Sequence, residues 1–193
     1  MTLQGEQTGT AAQILDVAER LVQTRGFNDF SYADIADELG ITKPALHYHF
    51  RSKAVLGEAI IARYSERFFS ALERIEAAEP DARECLNEYV QLYRSVLSAG
   101  RMCLCGILAA EYQTLPASMR SAVLDFFDRN ETWLERVLRE GHDTHVLTVG
   151  EPIRDVARTI IDTLEGATMV ARAQDAPERF DGVAVRMLSA LIG

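Results

Sequence analysis

The residues best suited to chemistry lie in one short run, Thr42 to Lys53, with the sequence TKPALHYHFRSK. It combines cationic groups, hydroxyls and imidazoles, which bind phosphate oxygens and base edges, and Ala45 is small enough to approach a thymine methyl group. No acidic residue occurs from Leu39 to Gly57, although the chain has a net charge of −9. This gap leaves one positive face, which is compatible with docking on DNA.

The residues before and within this run predict two short helices joined by a tight turn. Ser31 is expected to cap the first helix, with Asp34 beside its first amides. Gly40 suits the left-handed conformation that ends a helix. Thr42 and Pro44 then suit the start of the second helix. This spacing is that of a helix-turn-helix, whose second helix enters the major groove.

The exposed face of the second helix supplies the candidate DNA contacts. The expected base-edge contacts are Thr42, Lys43, Ala45 and His47. The expected phosphate contacts are Tyr48, His49, Ser52 and Lys53. Ser52 is also expected to cap a long fourth helix, and free amides at a helix N-terminus beside Lys53 would bind phosphate. Tyr32 fits either a core position or a phosphate contact.

Three segments within residues 10–58 carry a resemblance to a known family. They are Arg25-Gly26-Phe27, the Ile35-Ala36…Gly40-Ile41-Thr42 turn, and Leu46 to Lys53, which is close to the signature L-Y-x-H-F-x-S-K. Together they resemble the DNA-binding domain of the TetR family of bacterial transcriptional regulators. The order His47-Tyr48 departs from the commoner order of that signature. The rest of the chain resembles the family only in length, helical content and a few short sequence segments.

The resemblance implies a repressor that a small-molecule effector releases from a palindromic operator in double-stranded DNA. It also implies a homodimer in which the last two helices of each copy form a four-helix bundle. The apolar surface of these helices agrees with a dimer, and small residues such as Gly166 permit close approach. The apolar residues are Ile153, Val156, Ile160, Ile161, Leu164, Val170, Val183, Val185, Leu188 and Leu191. The alternative is that these faces only complete the core of the monomer.

The predicted fold class is all-α, with about nine helices and no persistent strand-like alternation. Residues 1–9 are expected to form a flexible arm, residues 10–56 the helix-turn-helix domain, and residues 57–193 a helical ligand-binding and dimerisation domain. Thr10 is the expected cap of the first helix, and residues 102–115 are expected to form a short apolar helix. Residues 142–150 are expected to form a loop containing His142 and His145.

The length and composition are ordinary for a globular protein. The chain has 193 residues, of which 48% are hydrophobic and 25% charged. No apolar run approaches the ~18 residues of a membrane span, and no signal pattern opens the sequence. Three cysteines, an odd number, argue against a disulfide framework. The expected location is the cytoplasm, without membrane contact.

An effector pocket is less clearly marked than the DNA-binding face. The aromatic candidates for lining it are Tyr89, Tyr93, Tyr112, Phe126 and Trp133, each of which also suits an ordinary core position. Glu111 fits either a polar anchor in the pocket or a surface carboxylate. Cys103 and Cys105 would detect oxidants or electrophiles if one thiol is exposed and stabilised as a thiolate. The alternative is that both are small core residues.

The sequence contains no phosphate-binding glycine loop, nucleophile elbow or H-E-x-x-H motif, so no enzyme activity, metal or cofactor is expected. The C-x-C pair is a poor zinc signature because no further ligands lie nearby. The alternative function is that of a helical adaptor or a small-molecule-binding dimer whose helix-turn-helix no longer recognises DNA. Its support is the acidic balance of residues 1–58, with five Lys and Arg against eight Asp and Glu.

Overall fold

The computed structural model describes residues 3–78, 81–150 and 152–192, and within these ranges the fold is all-α, as predicted. None of the described helices is long and apolar enough to cross a membrane. One 3-10 turn, Tyr112–Thr114, follows the sixth helix. The α-helices are α1 (Leu3–Arg25), α2 (Tyr32–Leu39), α3 (Lys43–His49), α4 (Lys53–Ala78), α5 (Ala82–Ser98), α6 (Leu104–Ala110), α7 (Ala117–Asp143), α8 (Ile153–Ala173) and α9 (Pro177–Ile192).

The chain folds as two compact units that do not follow the predicted division at residues 56 and 57. The first unit, here called the head unit, consists of Met1–Glu66 and Leu104–Leu124. The second, here called the body unit, consists of Arg67–Cys103 and Asp125–Gly193. Helix α4 is continuous from Lys53 to Ala78, so residues of this one helix belong to both units. The head unit also recruits α6 and the start of α7, which lie far along the sequence.

The helix-turn-helix in the head unit is built by the predicted local interactions. The Ser31 side chain accepts a hydrogen bond from the backbone of α2, and the Asp34 carboxylate accepts one from the Ser31 N–H at 2.7 Å. Gly40 ends α2 with φ 64°, which an L side chain adopts only with strain. Thr42 caps α3, and Pro44 lies in its first turn. These caps fix where both helices begin and end.

Three predicted boundaries were wrong. Helix α1 begins at Leu3, so Thr10 lies inside the helix and residues 3–9 do not form a separate arm. Residues 1 and 2 lie outside the described part. The segment 102–115 contains only the seven-residue α6 and a 3-10 turn, with Cys103 before the helix. His142 lies in the last turn of α7, and only His145 lies in the loop that follows.

Glu111 holds together parts of the head unit that are far apart in sequence. Its Oε2 accepts a hydrogen bond from the Phe27 N–H at 2.6 Å, and its Oε1 accepts two from Asn28, at 3.3 and 3.1 Å. At the preceding Gly26, where φ is 95°, a Cβ atom would lie 2.7 Å from this carboxylate. The carboxylate therefore satisfies backbone donors in the turn between α1 and α2. Glu111 is neither the pocket anchor nor the free surface carboxylate considered above.

We expect Glu111→Ala to lower the free energy of unfolding by about 1 kcal/mol, because it leaves the part-buried N–H of Phe27 without its acceptor. Urea unfolding followed by circular dichroism measures the change. Glu66→Ala is the matched control, since Glu66 is exposed on α4. Equal unfolding curves for the two variants would show that the Glu111 hydrogen bonds contribute nothing to stability.

Candidate functional site

The predicted DNA-contacting face of α3 is open to solvent in the head unit. Thr42, Lys43 and His47 are exposed, Ala45 is half-buried, and Tyr48 is 72% exposed. A tyrosine this exposed buries little apolar surface within its own chain, so its ring is accessible to a partner. The opposite face of α3 is anchored by Leu46, which is fully buried. The geometry therefore presents the predicted side chains outward on a helix held from behind.

Several of these side chains are already held by local contacts. The Thr42 Oγ1 accepts a hydrogen bond from the Ala45 N–H at 3.3 Å, which still leaves its hydroxyl hydrogen available. The His47 ring lies 4.7 Å from the Tyr32 ring, with Nδ1 3.3 Å from the Arg51 carbonyl oxygen. Tyr32 donates to the Phe50 carbonyl at 2.8 Å. These contacts orient the face of α3 and assign Tyr32 to supporting it.

The structure separates the two residues that were predicted to clamp phosphate at the start of α4. Ser52 is exposed and accepts a hydrogen bond from the Val55 N–H at 3.2 Å, so it caps α4 as predicted. Lys53 instead points inward: its ammonium group donates to the Phe30 carbonyl and lies 4.2 Å from the Phe30 ring centroid. Burial lowers the pKa of Lys53. The predicted phosphate contact by Lys53 is therefore corrected to a supporting role beneath the helix-turn-helix.

Four of the predicted pocket residues meet in the core of the body unit. The Tyr89 ring stacks on Trp133 at 5.4 Å and lies 5.5 Å from Tyr93. Phe68 joins Phe126 to this group, at 5.0 Å from Phe126 and 6.4 Å from Tyr89. The predicted residues are at most 5% exposed. Tyr112, by contrast, belongs to the head unit, where Arg120 lies 5.8 Å from its ring.

Two polar residues that sequence reasoning missed lie among these rings. Asn130 is fully buried, and its Oδ1 accepts a hydrogen bond from the Tyr89 hydroxyl at 3.1 Å. Glu165 has the Tyr93 hydroxyl and the Cys103 thiol within hydrogen-bonding range of its carboxylate. We call the group Tyr89, Tyr93, Cys103, Asn130, Trp133 and Glu165 the polar cluster. The sequence signal was weak, because Glu165 is one acid on a helix that carries several exposed ones.

The polar cluster is incompletely satisfied. Glu165 Oε1, Asn130 Nδ2 and Trp133 Nε1 are buried and have no hydrogen-bond partner within the protein. Each such group costs roughly 1–3 kcal/mol, so their accumulation in one place is unusual for a core that serves stability alone. Burial raises the pKa of Tyr89 and of Tyr93, so both hydroxyls remain protonated donors.

The electrostatics of the polar cluster centre on Glu165. Burial raises the pKa of its carboxyl from 4.5 to about 7, against the opposing effect of Cys103 and Tyr93. The neighbouring Asp162 carboxylate adds to the rise. The group is thus divided between its neutral and ionised forms near neutral pH.

The cysteines are not arranged as an exposed sensor. Cys103 is 3% exposed and Cys105 is fully buried, as is most of Cys85. Cys103 also lies beside a carboxylate, which opposes the formation of a second negative charge. The condition stated above for a sensor, an exposed thiol, is therefore not met. Among the described residues, no three His, Cys, Asp or Glu side chains are grouped so as to hold a metal ion.

An open groove of about 610 Å³ also lies in the body unit, between α4 and α7. Phe69, Leu72 and Trp133 supply its apolar lining. Its charged lining is Glu73, Glu76, Arg129, Glu135, Arg136 and Arg139. Trp133 thus belongs both to the groove and to the polar cluster.

The apolar residues predicted on α8 and α9 divide into two sets. The buried residues, which complete the core of the body unit, are Ile153, Ile160, Ile161, Leu164 and Leu191. Met169, Val170 and Val185 are exposed by 49%, 38% and 64%. Val156, Val183 and Leu188 are half-buried. Most of the sequence signal therefore reflects the core, and a smaller apolar patch remains open.

An N-terminal helix-turn-helix followed by a larger helical unit is the architecture of a bacterial DNA-binding regulator. The chain belongs to the TetR family of transcriptional regulators: residues 14–60 match the model of the bacterial regulatory proteins of the tetR family, and residues 76–187 match the tetracyclin repressor-like C-terminal domain. This confirms the family that the sequence resembles.

Relatives and solved structures agree with this assignment. The chain is 27% identical over 168 residues to the HTH-type transcriptional repressor NemR of Escherichia coli K12, covering 84% of each. It is 30% identical over 129 residues to the nucleoid occlusion factor SlmA of Marinobacter nauticus, covering 66% of each. A TetR-family regulator from Agrobacterium tumefaciens superposes with a TM-score of 0.94 at 28% identity, covering 97% of this chain and all of that one.

We expect the stability of the protein to fall as pH rises from roughly 4.5 to 7, because the folded state then keeps the Glu165 proton that the unfolded chain has lost. The full effect is on the order of 3 kcal/mol. Glu165→Gln should remove this slope and raise the free energy of unfolding above pH 7. Urea unfolding across this pH range tests it, with the exposed Glu88→Gln as control. Parallel pH profiles for wild type and Glu165→Gln would refute it.

Proposed function

We propose that this protein is a ligand-responsive transcriptional repressor that acts in the cytoplasm and binds a palindromic operator as a homodimer. The observation that carries the proposal is the solvent-exposed face of α3, which is free of acidic residues and held from behind by Leu46. Membership of the TetR family supports it. The adaptor alternative offers no reason for Lys43 and Tyr48 to be displayed together on this face.

The proposed division of labour on the DNA follows from exposure. Thr42, Lys43, Ala45 and His47 face the base edges, where hydrogen bonds and methyl contacts distinguish sequences. Tyr48, His49 and Ser52 contact phosphates and fix the register. The exposed guanidinium of Arg51 supplies the positive charge that Lys53 does not.

A dimer gives this short helix the affinity that it lacks alone. Two recognition helices related by a two-fold axis reach successive major grooves about 34 Å apart, which requires a palindromic site. The exposed Met169, Val170 and Val185 on α8 and α9 support pairing through the last two helices. We expect two states of the dimer, which differ in the distance between its two α3 helices. An effector that binds more tightly to the state that does not match the operator would lower operator affinity by the ratio of its affinities for the two states.

Selection from a random pool of duplex DNA tests the proposal. Purified protein is equilibrated with the pool at moderate salt, and the bound fraction is sequenced. We expect an enriched palindrome whose half-sites lie one helical turn apart. Weak, salt-sensitive binding to all sequences would instead support the adaptor function.

On the enriched operator, Lys43→Ala should weaken binding, because a base-edge contact is lost, and should lower its salt dependence, because a cation close to the phosphates is lost. Fluorescence anisotropy at several salt concentrations measures both. Arg74→Ala is the matched control, since Arg74 is exposed on α4 in the body unit. Equal affinity and salt dependence for Lys43→Ala and wild type would remove Lys43 from the interface.

A second candidate effector is an oxidant or electrophile that reacts with Cys103 or Cys105. The observation in its favour is that a solved structure similar to this chain is described as the reduced form of E. coli NemR. That protein shares 23% identity with this chain over 94% of its length, with a TM-score of 0.80. Burial of both thiols argues against this candidate.

We expect all three thiols to react slowly with Ellman's reagent in the folded protein and rapidly in urea, because each is buried. The absorbance of the released chromophore measures the rate. A single fast thiol in the folded protein that Cys103→Ser or Cys105→Ser abolishes would restore the sensor hypothesis.

A further inference from the structure

The polar cluster contains three buried polar atoms that the protein leaves without partners: Glu165 Oε1, Asn130 Nδ2 and Trp133 Nε1. Asn130 and Trp133 lie one turn apart on α7, where both contact Tyr89 of α5, and Glu165 lies on α8 beside Tyr93. The first is an acceptor and the other two are donors. A ligand that satisfied all three would therefore present a donor to Glu165 and an acceptor oxygen to Asn130 and Trp133.

Any charge in the polar cluster is negative, since Glu165 is its one acid that ionises near neutral pH and it contains no cationic residue. The groups that act on the Glu165 carboxylate are Tyr93, Cys103 and Asp162, and none of these is cationic. A buried carboxylate without a cationic partner is costly, and a cationic ligand removes that cost. The stacked rings of Tyr89 and Trp133 add electron-rich faces, which attract organic cations.

We propose that the polar cluster binds a small aryl-alkyl ammonium compound, whose N–H groups donate to Glu165 and whose aromatic ring joins Tyr89 and Trp133. The inference rests on the proposed function, because it makes this compound class the effector. An oxygen on the ligand accepts from Asn130 and from Trp133. The donor set thus favours amines that carry a hydroxyl or ether oxygen.

The groove beside the polar cluster provides an approach. Its volume of about 610 Å³ lies within the range of roughly 300–1,000 Å³ for small-molecule sites. Trp133 lines it and stacks on Tyr89, so movement of one indole would join the groove to the polar cluster. The charged lining of the groove is balanced, with three carboxylates and three guanidinium groups, so it does not repel a cation. Arg136 pairs with Glu76 at 2.8 Å and Arg139 with Glu135 at 3.8 Å.

Trp133 allows a direct test because it is the one tryptophan of the chain. Its fluorescence, excited where phenols do not absorb, is titrated with tyramine, phenethylamine and benzylamine. Each amine is compared with its neutral alcohol: tyrosol, phenethyl alcohol and benzyl alcohol. We expect saturable changes for the amines, tightest for tyramine, and at least tenfold weaker binding of each alcohol. Equal binding of amines and alcohols, or no response to any amine at millimolar concentration, would overturn the proposal.

Two variants test whether Glu165 is the residue that recognises the positive charge of the ligand. Glu165→Gln keeps the shape of the side chain and removes the carboxylate. The ratio of amine affinity to alcohol affinity should therefore fall at least tenfold in this variant. Because this variant is expected to be more stable than wild type above pH 7, loss of binding there would not reflect unfolding. Glu88→Gln makes the same change on the exposed face of α5 and should keep the preference. Undiminished amine preference in Glu165→Gln would refute the assignment.

The assay needs no DNA, so its outcome is separable from that of the operator experiment. Binding of tyramine without release of operator would keep the site and remove its role as the effector site. An enriched palindrome without any amine binding would keep the repressor function and overturn this inference.

Discussion

A recognition helix of seven residues is too short to be stable by itself, and this constraint governs the head unit. Leu46 anchors α3 from behind, Thr42 caps its start, and the chain after it is held where Tyr32 donates to the Phe50 carbonyl. The Lys53 ammonium group points inward and donates a hydrogen bond to the Phe30 carbonyl oxygen. The exposed face of α3 is therefore held in place by Tyr32 and Lys53, two side chains of types that also bind phosphate.

Polar side chains inside the body unit are less completely hydrogen-bonded than those inside the head unit. In the head unit, Glu111 satisfies the donors of the turn at Phe27 and Asn28. In the polar cluster, Glu165 and Asn130 keep atoms without partners at a cost to stability. A core that served only to hold the body unit together would do better with apolar residues of similar volume. The ligand proposed above would supply the missing partners and so stabilise the state that it completes.

Helix caps and turns were predictable from the sequence because the residues that cause them lie within a few positions of the feature. Ser31, Gly40, Thr42 and Ser52 act on the backbone within four residues of themselves, so their roles as caps and turn follow from sequence spacing. The extended start of α1 before Thr10 was not predictable in this way, since residues 3–9 are mostly polar, include two glycines and show no apolar periodicity. The periodicity of α8 and α9 identified a buried face, but the exposure of Val170 and Val185 became visible only when the packing of the body unit was known.

The sequence by itself determined the helix-turn-helix, the family and the acid-free face of α3, because these depend on residue types at fixed short spacings. Tertiary structure alone decided that Lys53 points inward, that Glu111 closes a turn 84 residues away, and that Glu165 meets Tyr93 and Cys103. The physical reason is that a long or charged side chain has no fixed environment until distant helices pack around it. Its partners, burial and protonation then follow from that packing.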